Sequence, residues 1–101
     1  MKVEVGAVMS FKLNSGEELV AKVEQDVDSD GYILLGDPVS IAPGPQGMGL
    51  VPSMFTIDHG GKARLNSNSI AMVAMTDESV KAKYIQATTG ITVPDKKIVM
   101  G

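Results

Sequence analysis

Turn-forming residues recur at short intervals and limit this chain to short secondary-structure elements. The segments "NSGEE", "DVDSDG", "PGPQGMG" and "HGGK", at residues 14–18, 26–31, 43–49 and 59–62, separate the main apolar runs. Glycine permits positive φ and proline removes a backbone donor, so both end regular elements. The chain is therefore expected to be built mainly from short strands joined by tight turns.

The first two apolar runs alternate with polar residues at a period of two. Residues 9–13 alternate as apolar and polar, and residues 19–24 do the same after the turn at Gly16. This alternation is typical of half-buried strands, so the two runs predict a hairpin. The run from residue 32 to residue 41 is more continuously apolar, which predicts a central strand with a bulge at residues 36–38.

The second half of the chain gives weaker strand signals and one helix signal. Residues 43–49 are expected to form an exposed loop without a ladder, and Pro52 predicts an edge position or a bulge for a strand over 50–57. The apolar run 70–75 predicts the last strand. Thr76 or Asp77 is a candidate N-cap and Gly90 a stop signal, which predicts a helix over about 77–88.

These elements predict one domain of the mainly β class. Residues 8–75 are expected to form a small, strongly bent five-stranded barrel of the SH3-like class, followed by the short helix. Residues 91–101 are expected to be an extended tail with a Pro-Asp turn. At 101 residues, two separate cores would each be near the lower limit of independent stability.

Composition argues against most catalytic and metal-binding classes. The chain has no cysteine and one histidine, His59, which lies in a turn and is interpreted as solvated. "DVDSDG" lacks the glutamate and the flanking helices of a calcium loop, and "GPQGMG" is no phosphate-binding motif. We therefore expect no metal, no cofactor and no enzymatic activity.

Charge and hydropathy limit the partners and the location. The formal net charge of −3 is unsuited to broad binding of nucleic-acid phosphates, so any such site must be local. No apolar run approaches the roughly 20 residues that a membrane-spanning helix requires, and "MKVEVGAV" lacks the features of a signal peptide. The expectation is a cytoplasmic protein without a membrane partner.

Two segments resemble the motifs of a known family. "FKLNSGEELVAKVEQDVDSDGYILLGDPVSI" resembles the first motif of Sm-like RNA-binding proteins, and "LNSNSI" is similar to the second, whose usual form is Ile-Arg-Gly-Asn-x-Ile. The resemblance covers residues 8–75. It implies an Sm-like barrel that forms a homo-oligomeric ring of roughly five to seven subunits. A divergent member of this kind, as phages carry, would function in the cytoplasm of a bacterial host.

The resemblance also implies roles for individual residues. Tyr32 takes the place of the Asn that ends the first motif and would stack a base, with Asp30 orienting its turn. In the second motif Asn66 replaces Arg and, with Ser67 and Asn68, would hydrogen-bond base edges. Lys62 and Arg64 would supply local phosphate contacts.

Each of these residues also has an ordinary structural interpretation. Tyr32 is equally interpretable as a half-buried strand aromatic, residues 66–68 as a plain turn, and Lys62 and Arg64 as solvated charges. By resemblance, "DHGG" at residues 58–61 also interrupts what the family has as one long fourth strand. These alternatives stay open at the level of sequence.

Two functions follow from the sequence. The first is a ring that binds single-stranded RNA or DNA without catalysis and has a role in nucleic-acid processing. The alternative is a structural or assembly ring of a phage particle, with protein partners. Both require oligomerisation, which we expect because the run 70–75 is too apolar for an exposed edge, so that a neighbour's 50–57 strand would cover it.

Overall fold

A computed structural model describes residues 2–58 and 60–89. Within these residues the chain forms six strands, one 3₁₀ turn and one C-terminal helix. The strands are β1 (Val8–Leu13), β2 (Glu18–Gln25), β3 (Tyr32–Gly44), β4 (Gly47–Pro52), β5 (Lys62–Asn66) and β6 (Ile70–Met75); the 3₁₀ turn is Ser67–Ser69 and the helix α1 is Glu78–Thr89. The mainly β class and the C-terminal helix are thus confirmed.

The six strands form one antiparallel sheet that does not close into a complete barrel. The strand order is β4-β3-β2-β1-β6, and β5 also pairs with β3. The 13-residue β3 pairs with β2 on one edge, and on its other edge first with β5 and then with β4. This confirms the expected central position of β3.

A bulge in the middle of β3 turns its side chains from one face of the sheet to the other. Val20 pairs with Val39 and Lys22 pairs with Gly36, so Asp37 and Pro38 together oppose the single residue Ala21. Asp37 has φ of 47°, which is possible at modest cost for a short polar side chain. The bulge confirms the expectation for residues 36–38 and increases the local twist.

The bulge divides the core into two clusters on opposite faces of the sheet. Phe11, Ala21, Ile33 and Leu35 belong to the larger cluster, which the bent sheet encloses. Beyond the bulge, Val39 instead belongs to a second cluster. Its buried members are Val8, Val20, Val39 and Tyr84. The helix α1 covers this second face, since Tyr84 extends from α1.

Tyr84 connects the helix to the bulge through two hydrogen bonds. Its hydroxyl donates to the Gly36 carbonyl (2.9 Å) and accepts from the Lys22 backbone N–H (3.1 Å). The residue is only 3% exposed. Because Pro38 has no N–H, the ladder is interrupted here, and the Tyr84 hydroxyl satisfies backbone groups beside the interruption.

Several boundaries differ from the sequence-based expectations. The five-strand count is wrong, because β4 and β5 are separate strands with residues 53–61 between them. The strand expected over 50–57 ends at Pro52. Residues 43–49 are exposed as expected but do hold a ladder, with Pro43 opposite Met48 and Gly44 opposite Gly47, because the φ of 105° at Gly47 permits a tight turn.

The helix start agrees closely with the sequence. Asp77 is the N-cap, accepting from the Ser79 and Val80 backbone N–H groups and from the Ser79 hydroxyl. These bonds, led by that from the Ser79 hydroxyl, lower the pKa of Asp77. The other candidate, Thr76, is buried and bonds to Ser10. His59 and the expected tail over 91–101 lie outside the described residues.

A Tyr84→Phe substitution should reduce stability and change its dependence on alkaline pH. Burial, with the charges of Asp37 and Glu24, raises the pKa of Tyr84 to about 12, whereas the Lys22 N–H acts in the opposite direction. Since an unfolded tyrosine ionises near pH 10, the stabilisation is complete below pH 10 and is lost as pH rises towards 12. We expect a loss of about 1 to 3 kcal/mol at neutral pH.

The measurement is urea unfolding of the wild type and of Tyr84→Phe from pH 8 to pH 11.5. Tyr32→Phe is the matched control, because it also removes a tyrosine hydroxyl but leaves the hydrogen bonds at Lys22 and Gly36 in place. The difference in unfolding free energy between wild type and Tyr84→Phe should shrink above pH 10. A constant difference over this range would contradict the role given to the hydroxyl.

Candidate nucleic-acid interface

The turns before β3 and before β6 meet at one corner of the sheet. Tyr32, the first residue of β3, pairs with Asn66, the last residue of β5. The Ser67 N–H then donates to the Gly31 carbonyl at 2.8 Å, which extends the contact from the strands into both turns. Neighbouring antiparallel strands place the end of one beside the start of the other, and this produces the juxtaposition.

Asp28 organises the first of these turns. Its Oδ1 accepts from the Asp30 N–H (2.9 Å) and from the Tyr32 N–H (3.0 Å), and its carbonyl accepts from the Gly31 N–H (3.0 Å). Gly31 has φ of 87°, a conformation that favours glycine. Asp28 therefore fixes the direction in which the chain enters β3. Asp30, the residue proposed from sequence for this role, contributes its backbone N–H.

Arg64 joins this turn to β5 by a cation–π contact and an ion pair. Its Cζ lies 4.6 Å from the centre of the Tyr32 ring, and its Nη2 lies 3.0 Å from Asp28 Oδ2. The carboxylate of Asp30 is 3.7 Å from the same nitrogen. Tyr32 is directly opposite Asn66 and diagonal to Arg64 on the same face of the sheet, a spacing that long side chains can bridge.

The charged side chains at the corner carry more negative than positive charge. One guanidinium faces two carboxylates, and all three groups are at least partly exposed. The Tyr32 N–H, followed by Arg64 and the Asp30 N–H, lowers the pKa of Asp28, against a smaller opposing effect of desolvation. The Asp28 carboxylate is thus held in its charged form, and the charge of Arg64 is already compensated.

The second turn holds its own shape through Asn66. The Asn66 Oδ1 accepts from the Asn68 N–H (2.9 Å), and the Asn66 carbonyl accepts from the Ser69 hydroxyl (2.7 Å). Asn14 also donates to the Asn68 carbonyl at 2.9 Å, so the turn is tied to β1 as well. Among the described residues, the side-chain amide of Asn68 and the NH₂ group of Asn66 make no hydrogen bond. These exposed amides are available to a ligand.

Six of the seven residues proposed from sequence come together at this corner. They are Asp30, Tyr32, Arg64, Asn66, Ser67 and Asn68. Lys62 does not join them, because it pairs with Gly36 at the other end of β5, about 13 Å from Asn66 at the usual rise per residue. We refer to the six residues together with Asp28 as the Tyr32 corner.

Sequence reasoning missed Asp28, although a signal was present. An Asp whose side chain accepts from the backbone two residues further on is a common turn former, and "DSDGY" has this arrangement with glycine at the position of positive φ. In the described part of the chain no three metal-ligating side chains cluster together.

Comparisons with known proteins add no assignment to this geometry. No model of a protein family matches the chain, and no curated protein matches it either. The Sm-like resemblance therefore depends on the sequence pattern quoted above and stays a prediction. Over residues 2–58 and 60–89, no helix is both long enough and apolar enough to cross a bilayer.

An Asp28→Ala substitution should loosen the first turn without unfolding the sheet. The Asp30 and Tyr32 amides lose their acceptor, and Arg64 loses its closest ion-pair partner. We expect faster amide hydrogen exchange at residues 30 and 32, measured by NMR. Asp26→Ala is the control, because among the described residues the Asp26 carboxylate accepts only from the adjacent Val27 N–H.

In the wild type, the protection of the Asp30 and Tyr32 amides from hydrogen exchange should depend on pH. Because the pKa of Asp28 is lowered in the folded chain, its stabilising effect is present above the ordinary aspartate range and is lost as pH falls through the lowered value. Unchanged exchange at residues 30 and 32 in Asp28→Ala would contradict the organising role of this residue.

Proposed function

We propose that this protein is an Sm-like, homo-oligomeric ring that binds single-stranded RNA or DNA without catalysis. One observation carries the proposal: the corner formed by β3 and β5 combines an aromatic ring, a guanidinium and two available amides within one pair of turns. These are the groups by which proteins recognise unstacked bases. A role in nucleic-acid processing is the corresponding biological proposal.

Stacking is the main source of affinity in this proposal. The Arg64 guanidinium already lies over the Tyr32 ring, and about half of the Arg64 side chain is exposed. A base can stack on the outer face of this pair, and each stacked base contributes about 1 to 3 kcal/mol. The free amide groups of Asn66 and Asn68 lie beside the pair and suit the hydrogen-bonding edges of a base.

Phosphate contacts contribute little in this proposal. The positive charge of Arg64 is compensated by the carboxylates of Asp28 and Asp30. Lys62 is distant from the corner, and the formal net charge of the chain is −3. Binding is therefore expected to be of modest affinity, with a shallow dependence on salt concentration compared with proteins that neutralise many phosphates. The ligand is single-stranded, because bases must be unstacked to reach the pair.

Fluorescence anisotropy with short labelled oligonucleotides at low salt tests this proposal. Tyr32→Leu keeps apolar volume but removes the aromatic face, so the Kd should rise about fivefold to a hundredfold. Tyr32→Phe keeps the face and should bind as the wild type does. Lys62→Ala is the control outside the corner and should change the Kd little.

Two results would contradict nucleic-acid binding at this corner. One is the absence of binding at low salt to both RNA and DNA oligonucleotides. The other is equal binding by Tyr32→Leu and Tyr32→Phe. Binding lost equally in Lys62→Ala and Tyr32→Leu would point to charge rather than stacking.

Ring formation is supported by the exposed edge strand β6. It pairs with β1 on one side, and no described residue pairs with its other side. Met72 on this strand is 69% exposed and Met75 is also exposed. An apolar edge of this kind is suited to pairing with another copy, whose β4 contains the strand part, residues 50–52, of the 50–57 segment expected to cover it.

A Met72→Glu substitution should shift the protein towards monomer. Each copy would place a carboxylate in the contact between edges, where charge is costly. Light scattering at micromolar concentration measures the mass, and Ile85→Glu on the exposed face of α1 is the control that should leave it unchanged. A wild type that is monomeric at these concentrations would contradict the ring.

The second candidate function is a structural or assembly ring of a phage particle with protein partners. It is favoured by the acidic balance of the chain and by the exposed apolar side chains Met48 and Phe55. A pull-down that recovers one defined protein, lost in Phe55→Ser, without nucleic acid would select this candidate. Recovery of nucleic acid together with a sensitivity to Tyr32→Leu would select the first.

A further inference from the structure

An apolar cleft lies on the side of the molecule that carries the end of the helix. Its volume is about 380 Å³, and its walls are β3 at the bulge, β4, the segment that follows β4, and the last turn of α1. Ala87 and Thr88 form the helical wall, and Val39 and Leu50 lie opposite in the sheet. None of the residues of the Tyr32 corner lines this cleft.

The cleft combines an exposed apolar lining with two carboxylates. Phe55 is 80% exposed, Met54 is 49% exposed, and both line the cleft together with Val51. Asp37 and Asp58 are also in the lining, and no described cation forms an ion pair with either of them. A ligand that suits these walls is a short peptide with apolar side chains and positive charge.

The chain itself contains a sequence of this kind. Residues 90–101, "GITVPDKKIVMG", follow directly on α1, whose last turn forms one wall. The segment has two apolar groups, the pair Ile91 and Val93 and the run 98–100, which are separated by Pro94, Asp95 and the paired cations Lys96 and Lys97. Its excess positive charge complements the two carboxylates of the cleft.

We propose that residues 90–101 bind in this cleft of the same chain. Twelve residues reach up to about 40 Å when extended, far more than is needed to return across a cleft that begins at residue 87. Attachment at Thr89 raises the effective concentration of the segment to roughly the millimolar range, so a weak intrinsic affinity is sufficient. The proposal does not use the Tyr32 corner or β6, but the cleft shares the segment 50–57 with the contact that the ring proposal assigns to a neighbour's β6.

The test uses the methionine methyl groups of the unmodified protein as reporters. Methyl-¹³C NMR spectra are compared between the full chain and a chain ending at Thr89. The Met54 resonance should shift on truncation, whereas Met72, which lies on β6 away from the cleft, should keep its position. A double variant, Ile98→Asp with Val99→Asp, keeps the full length and should resemble the truncated chain at Met54.

Identical Met54 resonances in all three proteins would overturn the proposal. If the Met54 resonances do differ, a second experiment is needed to distinguish binding within one chain from binding between copies. For this, the truncated chain is unfolded and refolded together with full-length Met54→Leu, which has the segment but lacks the reporter. A Met54 resonance that stays at the truncated position supports binding within one chain, and a return to the full-length position would assign the cleft to a neighbour's segment and overturn the proposal.

The charge complementarity has its own measurement. A synthetic peptide of residues 90–101, titrated into the chain ending at Thr89, should move Met54 towards its full-length position. The peptide with Lys96→Glu and Lys97→Glu should bind about five- to tenfold more weakly, since each exposed pair contributes modestly. Equal Kd values for the two peptides, or no effect of either on Met54, would contradict the role of Asp37 and Asp58.

Discussion

The bulge at residues 36–38 is the feature on which the rest of the structure depends. Asp37 at positive φ and Pro38 without an N–H interrupt the ladder between β2 and β3, and the hydroxyl of Tyr84 satisfies the groups on both sides. An unpaired buried backbone group costs about 1 to 3 kcal/mol. The helix is therefore attached to the sheet at a bulge where the ladder itself leaves backbone groups unpaired.

The same bulge allows one strand to serve two partners. Before it, β3 directs Ile33 and Leu35 into the enclosed core and pairs with β5. After it, β3 directs Val39 to the opposite face, under the helix, and pairs with β4. Pairing with β5 is what brings the turn at residues 66–69 to Tyr32, so the candidate site is a consequence of the strand order and of the length of β3.

The sequence predicted those features that depend on local chemistry. Alternation of apolar and polar residues predicted β1 and β2, and the apolar run 70–75 predicted β6. The Gly-Asp-Pro segment at residues 36–38 predicted the bulge, and Asp77 predicted the helix start. Prediction from sequence failed where residues distant in the chain determine the local structure. The prolines and glycines of residues 43–49 predict a loop without a ladder, yet Pro43 pairs with Met48 because Gly47 adopts positive φ. The hydrogen bonds of Tyr84 with Lys22 and Gly36 join residues far apart in the chain and are visible only in three dimensions.

The candidate site likewise combines features that the sequence predicted with features that depend on contacts between distant residues. Resemblance placed Tyr32 and Asn66 in one site, and the pairing of β3 with β5 brings them together. The interpretation of Arg64 as either a solvated charge or a phosphate ligand was incomplete, because the guanidinium is held by the Tyr32 ring and by Asp28 at once. A flat cationic group fixed in this way is preorganised for stacking, since little side-chain entropy remains to be lost on binding. The carboxylates that fix it also compensate its charge. Under the proposed function the corner would therefore contact bases rather than phosphates.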